Sequence, residues 1–377
     1  MKALKIRGLS LFLIFILAFS LLFSAGVSAH AQEDTALAFK NTSEKTGTGA
    51  PLSAREDIRV SSRFYELFFG KDKKEPLCLI PGGDVFGIRI KEEFVTVSGA
   101  KDSAALKRGD KIISVNGQKI NEISDVNGAL SDCNGAPLKI EILRSGEKVT
   151  LTVLPKREGS EYKLGVTLRK VASGIGTVTF IDPETHVFGG LGHGVCESEG
   201  GNLVGLESGE VSGVVLGGVT RGEAGKPGEL SGVLGRKALG SIYKNHECGV
   251  FGVLDDTCSY DSAPIPVANK NEIKLGEAEI ISTVKNGKKS SYKIEIVDID
   301  KSSTGSKSFR IKVTDPFLIT LTGGIVRGMS GSPIIQNGKL VGAVTHVLVA
   351  DPTEGYGIFI ENMLNASNAR NELPKAA

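Results

Sequence analysis

Ser330 stands inside Gly328-Met329-Ser330-Gly331-Ser332-Pro333, a serine between glycines on what reads as a tight loop. A serine hydroxyl attacks a carbonyl only when a base takes its proton and donors await the developing oxyanion. Glycines at 328 and 331 free the backbone to turn, so the N–H groups of Gly328 and Ser330 can aim at one point. A plain glycine turn between two strands is the alternative, but this six-residue string is more particular than most such turns. The spacing nominates Ser330 as a nucleophile toward a peptide carbonyl, with Gly328 and Ser330 as oxyanion donors. The run Leu340 to Thr345 then reads as a buried strand behind the loop.

Such a nucleophile needs a base, and His186, His193, His246 and His346 are the histidines beyond the N-terminal apolar segment. His193 lies in Gly189-Gly190-Leu191-Gly192-His193-Gly194, where small neighbours let its ring reach a cleft. His346 ends the strand after the serine loop and suits either core or cleft. Both stay open as the base, and a satisfied structural histidine is the alternative for each. His186 is expected on a surface turn and His246 in the open. The histidines are scattered without paired ligand spacing, so neither a metal nor a cofactor is expected. Five cysteines at wide, irregular spacing resemble no disulfide framework. Free thiols are expected, with a Cys248–Cys258 pair as the alternative.

The elements that must carry this chemistry follow from length and pattern. A chain of 377 residues suffices for two or three domains, and 48 glycines with no tryptophan favour short strands and turns. Lys2, Lys5 and Arg7 lead into an apolar run from Leu9 to Val27, and Ala29-His30-Ala31 places small residues around a cut site. Residues 1–31 therefore read as an export segment. The run is close to the ~18–20 residues that span a bilayer, so a retained anchor and a cleaved signal both stay open. In either case the rest of the chain is expected beyond the membrane. Without those three cations, 42 basic residues face 43 acidic ones, and nothing in that balance points to nucleic acid, whose binders usually carry a basic patch.

Residues 32–75 are polar, broken by Gly47, Gly49 and Pro51, and read as a linker. Residues 76–158 form a compact β-rich module. Asn116-Gly117 marks a hairpin, and Leu138–Arg144 and Lys148–Val153 alternate as a second one across Ser145-Gly146. A short helix is expected from Ile123 to Leu130. Residues 159–366 carry many short glycine-punctuated strands, as in a barrel or sandwich of about 200 residues, with a helix near Gly357–Leu364 and a tail at 367–377.

Leu106-Lys107-Arg108-Gly109-Asp110-Lys111-Ile112-Ile113-Ser114-Val115-Asn116-Gly117 resembles a PDZ domain. That resemblance implies binding of an extended peptide as an added strand, its carboxylate held by backbone N–H groups. By position the binding loop would be Val85, Phe86, Gly87 and Ile88. A β-rich spacer without a ligand is the alternative.

The order of export segment, PDZ-like module, Gly192-His193, Lys226-Pro227-Gly228-Glu229, Gly249-Val250-Phe251-Gly252, Asp315-Pro316 and Gly328 to Pro333 resembles the stage IV sporulation protein B family of serine peptidases. The resemblance spans about residues 76–364 and implies a mainly β fold, a PDZ domain followed by a chymotrypsin-like double β-barrel. It implies Ser330 as nucleophile, His193 as general base and Asp315 as the acidic partner. Asp315 lies close before Ser330, so a cap on the Asp-Pro turn is its alternative, and Asp255 or Asp256 are substitutes. The family further implies export across the forespore membrane and cleavage of itself and of a membrane-bound regulator, leading to activation of a mother-cell sigma factor. Rival readings are a general envelope quality-control protease and a non-catalytic peptide-binding adaptor.

Overall fold

The computed structural model describes residues 76–100, 105–197, 201–285 and 287–368. The expected export segment, the linker and most of the tail lie outside them. Among the described residues no helix is long and apolar enough to cross a membrane.

The chain opens with β1 (Cys78–Pro81) and the long strand β2 (Val85–Gly99). There follow β3 (Lys111–Val115), β4 (Gln118–Lys119), α1 (Ile123–Asp132), β5 (Leu138–Arg144), β6 (Glu147–Val153), β7 (Lys156–Glu158) and β8 (Glu161–Lys163). Next come β9 (Thr167–Ile181), β10 (Val187–Gly190), β11 (Ser208–Thr220), β12 (Glu229–His246), β13 (Gly249–Leu254) and β14 (Ile265–Pro266). The last part holds β15 (Gly276–Lys285), β16 (Lys288–Ile299), β17 (Phe309–Val313), α2 (Pro316–Thr322), β18 (Pro333–Gln336), β19 (Lys339–Leu348), β20 (Asp351–Phe359) and α3 (Ile360–Asn368).

Two closed rings of strands result. β9 pairs with both β10 and β2, and the path β10–β13–β12–β11–β2 returns to it, closing a first barrel around Phe86, Ile88, Ile90, Phe188 and Val250. β15, β16, β17, β20, β19 and β18 close a second around Ile294, Ile296, Phe309, Ile311 and Val344. A third apolar cluster lies between them. In it Leu79, Phe180 and Phe251 of the first barrel meet Ile358 of β20 and Met363 and Leu364 of α3. Closure removes free sheet edges, and alternation sends one side chain in two to each core. The expected double barrel is what the chain forms.

The module expected at 76–158 differs in its boundaries. Residues 78–91 belong to the first barrel: β2 pairs with β11 from Phe86 to Lys91 and with β9 from Val85 to Lys91. Only beyond Val95 does β2 turn to β3, so the β-rich unit is an insert between the first strands of a barrel, with its own core of Val97, Leu106, Ile112, Val126 and Ile140. This overturns Val85, Phe86, Gly87 and Ile88 as a peptide-binding loop. Val85, Phe86 and Ile88 are buried, and both edges of their strand are already paired, which leaves no backbone groups for an added strand.

The expected turns form with positive φ at Asn116 and Gly117 and at Ser145 and Gly146. The five cysteines are free, and Cys248 and Cys258 are buried in different clusters.

A Cβ on Gly87 would lie 2.6 Å from Leu234 Cγ and 2.9 Å from Ser212 Oγ. Gly87→Val is therefore expected to cost about 1–3 kcal/mol by overpacking and to lower the melting temperature. An unchanged melting temperature with a selective loss of peptide binding would contradict this placement.

Candidate active site

The serine loop runs from α2 into β18, and strand β9 of the other barrel holds it by its carbonyl groups. Thr177 N donates to Ser330 O at 2.9 Å, Thr177 Oγ1 to Gly328 O at 2.8 Å and Thr179 Oγ1 to Gly331 O at 2.8 Å. Gly331 has φ +96°, and a methyl there would overlap the Thr177 carbonyl oxygen, so only glycine fits. The loop's N–H groups divide in two. Met329 N donates to Val326 O, Gly331 N to Val344 O and Ser332 N to Met329 O. Among the described residues the N–H groups of Gly328 and Ser330 have no acceptor. These are the two expected oxyanion donors, and an arriving anion would satisfy groups that are otherwise unpaired.

Ser330 is half-buried, and its Oγ donates to the Thr345 carbonyl of β19 at 2.8 Å. Thr345 is itself fixed, its Oγ1 donating to Ser306 O and Tyr356 O. His193 reaches the same place from the first barrel. After β10 the chain turns through Leu191 and Gly192, both with positive φ. Leu191 N donates to Thr177 O, and Gly192 lies against Thr345 and Ile358. Ser330, Thr345 and His193 thus converge through Thr177 and Gly192 at the seam between barrels.

His193 Nδ1 lies 2.9 Å from the Gly194 carbonyl. A carbonyl only accepts, so the neutral ring carries its proton on Nδ1 and leaves Nε2 as the basic nitrogen. That is the tautomer a general base toward serine requires. Burial pushes the His193 pKa below its ordinary value of 6.5, and the Gly194 carbonyl opposes this by a smaller amount. His346 shares the site, its ring centroid 5.0 Å from that of His193 at an interplanar angle of 39°. Burial, then His193 and Lys307, push His346 down to about 4.

Asp315 does not join this group. It is the N-cap of α2: Oδ1 accepts from Leu318 N at 2.9 Å and Oδ2 from Lys293 N at 3.4 Å. Its carboxylate thus serves a helix terminus, with Pro316 in the first turn and Gly323 at the end, and His193 turns Nδ1 to a backbone carbonyl instead. The substitutes do not reach His193 either. Asp256 pairs with His186 Nδ1 at 3.1 Å, and Asp255 N donates to Leu239 O. His246 is half-buried rather than open, its Nδ1 accepting from Cys248 N.

Sequence reasoning missed Thr177, Thr179 and the Gly194 carbonyl. Two-residue spacing places both threonines on one strand face, but nothing local says that the serine loop covers that face. The cap on α2 was legible, since Asp-Pro followed by Gly323-Gly324 brackets a short helix.

Among the described residues no group of three or more His, Cys, Asp or Glu could hold a metal ion. Residues 160–364 match the family described as SpoIVB peptidase S55. Curated relatives match over shorter stretches. A putative zinc metalloprotease of Lactococcus lactis is 42% identical over 64 residues, 17% of this chain and 15% of that protein. The regulator of sigma-E protease RseP of Escherichia coli is 30% identical over 122 residues, 31% of this chain and 26% of that protein. The chain thus spans only 15% and 26% of these two relatives. Among solved structures, the inactive form of Rv3671c from M. tuberculosis aligns over 53% of this chain and 84% of its own, at 13% identity and a TM-score of 0.31. The HtrA-type protease AlgW with a tripeptide aligns over 51% and 54%, at 10% identity and a TM-score of 0.32.

Asparagine caps helices as well as aspartate, whereas an Asp-to-Asn change in a triad acid costs ~10⁴ in rate. Asp315→Asn is expected to label with a fluorophosphonate close to the wild-type rate, and Asp315→Ala to lose about 1 kcal/mol of stability. Loss of labelling in a stable Asp315→Asn protein would contradict the capping role.

Proposed function

The chain belongs to the SpoIVB peptidase S55 family and is a serine peptidase, and from that premise we propose that Ser330 is its nucleophile and His193 its general base. The observation that carries this reading is the pair of unpaired N–H groups at Gly328 and Ser330, beside a histidine whose proton is fixed on the far nitrogen.

In the resting site the Ser330 hydroxyl gives its hydrogen bond to Thr345 O. Rotation about its Cα–Cβ bond toward His193 gives up one hydrogen bond, a cost of about 0.5–1.5 kcal/mol. His193 Nε2 then takes the proton as Oγ bonds to the scissile carbonyl carbon, and the carbonyl oxygen takes negative charge between Gly328 N and Ser330 N. The same proton passes to the leaving amine as the C–N bond breaks, and water repeats the sequence to release the acyl group. The peptide is proposed to lie extended beside β19. Val344 still exchanges backbone hydrogen bonds with Gly331 and Ser332, and past it the strand's one strand partner among the described residues is β20, so the residues after Val344 offer an edge next to the serine.

The insert is proposed as a PDZ-like docking unit, with its strand-addition edge on β9. From Thr167 to Gly176 that strand pairs with β2 on one side only, and α1 packs nearby. The physiological reaction proposed is that of the family: after export across the forespore membrane, cleavage of the chain itself and of a membrane-bound regulator, and through it activation of a mother-cell sigma factor. The family match and the order of segments support this over general protein turnover.

Ser330→Ala and His193→Ala are each expected to abolish shortened forms of the chain while leaving its melting temperature near wild type. Shortened forms persisting in either variant would overturn the assignment. For pH, the neutral form of His193 is the active one and burial lowers its pKa. Fluorophosphonate labelling is therefore expected to hold through neutrality and fall only as pH drops below 6.5, the ordinary value. An acid limb centred above 6.5 would contradict a buried base.

A further inference from the structure

Thr177 N donates to Ser330 O and Thr177 O accepts from Leu191 N, so the backbone groups of this residue point to the edge of β9 away from β2. Alternation along a strand sends the N–H and C=O groups of Ile175, Ser173 and Val171 to that same edge. There, among the described residues, they meet no strand and no hydrogen-bond partner, since β9 pairs with β2 alone from Val171 to Gly176. Val171, Ser173 and Gly174 are exposed. A free edge is ordinarily guarded by a charge, a proline or a covering segment. The run Val171-Ala172-Ser173-Gly174-Ile175-Gly176 holds neither charge nor proline. This open edge starts beside the serine loop and runs back to Thr167 in the insert, ~26 Å from Ile175 at ~3.3 Å per residue.

We infer that this edge binds the part of a protein substrate that follows the scissile bond, so that docking on the insert and cleavage at Ser330 use one continuous strand. The inference rests on Ser330 as nucleophile and His193 as base, and it deepens that reading. The leaving amine takes its proton from His193, whose loop is tied to β9 by the bond from Leu191 N to Thr177 O. The acyl oxygen sits at Gly328 N and Ser330 N, on the second barrel. The leaving half of the substrate is thereby on the β9 side, and the acyl half on the β19 side.

Polarity follows from this. Running away from Ser330, the leaving half passes Ile175, then Ser173, then Val171, opposite to the sense of β9, and so pairs antiparallel. A substrate residue opposite any of these three exchanges a hydrogen bond in each direction, and the residues between face away. Where the segment nears Thr167 it reaches the part of the edge beside α1. The docked segment and the cut bond are then a set distance apart, about eight to ten residues on the leaving side. The substrate class is a protein segment that stays extended for about that length after the cut, not a tight surface loop.

The test uses the full chain and synthetic peptides spanning a bond that it cuts, in itself or in unfolded casein, mapped by mass spectrometry. The acyl side is constant and the leaving side grows from about two to about twelve residues. The value of kcat/KM is expected to rise ~10-fold or more with that length and to level off at about eight to ten. Methylating single backbone nitrogens on the leaving side of the long peptide is expected to slow cleavage at alternate positions only. Ser173→Pro removes an N–H that the β2 ladder does not use, and is expected to shrink the gain with length. Rates that ignore leaving-side length, or methylation effects without alternation, would overturn the inference, and both are read on the wild-type chain whether or not Ser173→Pro folds. A dimer in sedimentation that Ser173→Pro abolishes, with cleavage blind to peptide length, would assign the edge to a second copy and overturn it too. A fluorophosphonate carries no leaving peptide, so its labelling reports the serine and base separately. An unlabelled wild type, or a labelled Ser330→Ala, would overturn the reading beneath; normal labelling with flat length dependence would overturn the edge alone.

Discussion

Everything at this site depends on how β9 grips the serine loop. Thr177 and Thr179 are buried, and their three hydrogen bonds take the carbonyl oxygens of Gly328, Ser330 and Gly331. With its carbonyls held on one side, the loop leaves the Gly328 and Ser330 N–H groups without acceptors. Each bond contributes about 0.5–1.5 kcal/mol net, but a buried carbonyl left unmet costs about 1–3 kcal/mol, so the grip is worth more for orientation than for stability. The Thr177 carbonyl also accepts from Leu191, which sets the turn that delivers His193. One strand of the first barrel thereby positions the nucleophile loop of the second and the base of its own.

That strand is also the exit from the insert. β9 begins at Thr167 beside the insert's core and runs without interruption to Ile181, passing the grip at Thr177. β2 makes the matching outward journey, its first half in the barrel and its last residues against β3. The insert therefore hangs on a two-stranded ribbon whose inner end is the active-site wall. Ion pairs stiffen the joint: Arg169 of β9 bonds the buried Glu92, and Lys170 reaches Glu93 O and Glu207. An insert built this way shares backbone with the strand that grips the serine loop.

Local chemistry was legible in the sequence, and long-range pairing was not. The serine loop, the Asn116-Gly117 and Ser145-Gly146 turns, the helix at Ile123 and the β-rich character all follow from nearby residues, and each forms. Val85 to Ile88 reads as a binding loop, but the structure makes it strand, and its partners are β9 and β11, far along the chain. No local pattern names those partners, and the binding loop follows from position within the PDZ resemblance, which says nothing of a barrel claiming both edges. Asp315 misled for another reason. Its place in a family motif implied catalysis, while the adjacent proline and the glycines that follow specify a cap, which the structure forms. The orienting group on His193 is a backbone carbonyl, which carries no side-chain identity for a sequence to display.

The most direct measurement is a crystal structure of the full chain after reaction with a fluorophosphonate. The account requires the phosphorus on Ser330 Oγ, its oxygen accepting from Gly328 N and Ser330 N at ~2.7–3.1 Å, and His193 Nε2 beside the adduct with Nδ1 still on Gly194 O. A phosphonyl group on another residue, or an oxygen turned away from those two N–H groups with His193 remote from it, would contradict the account.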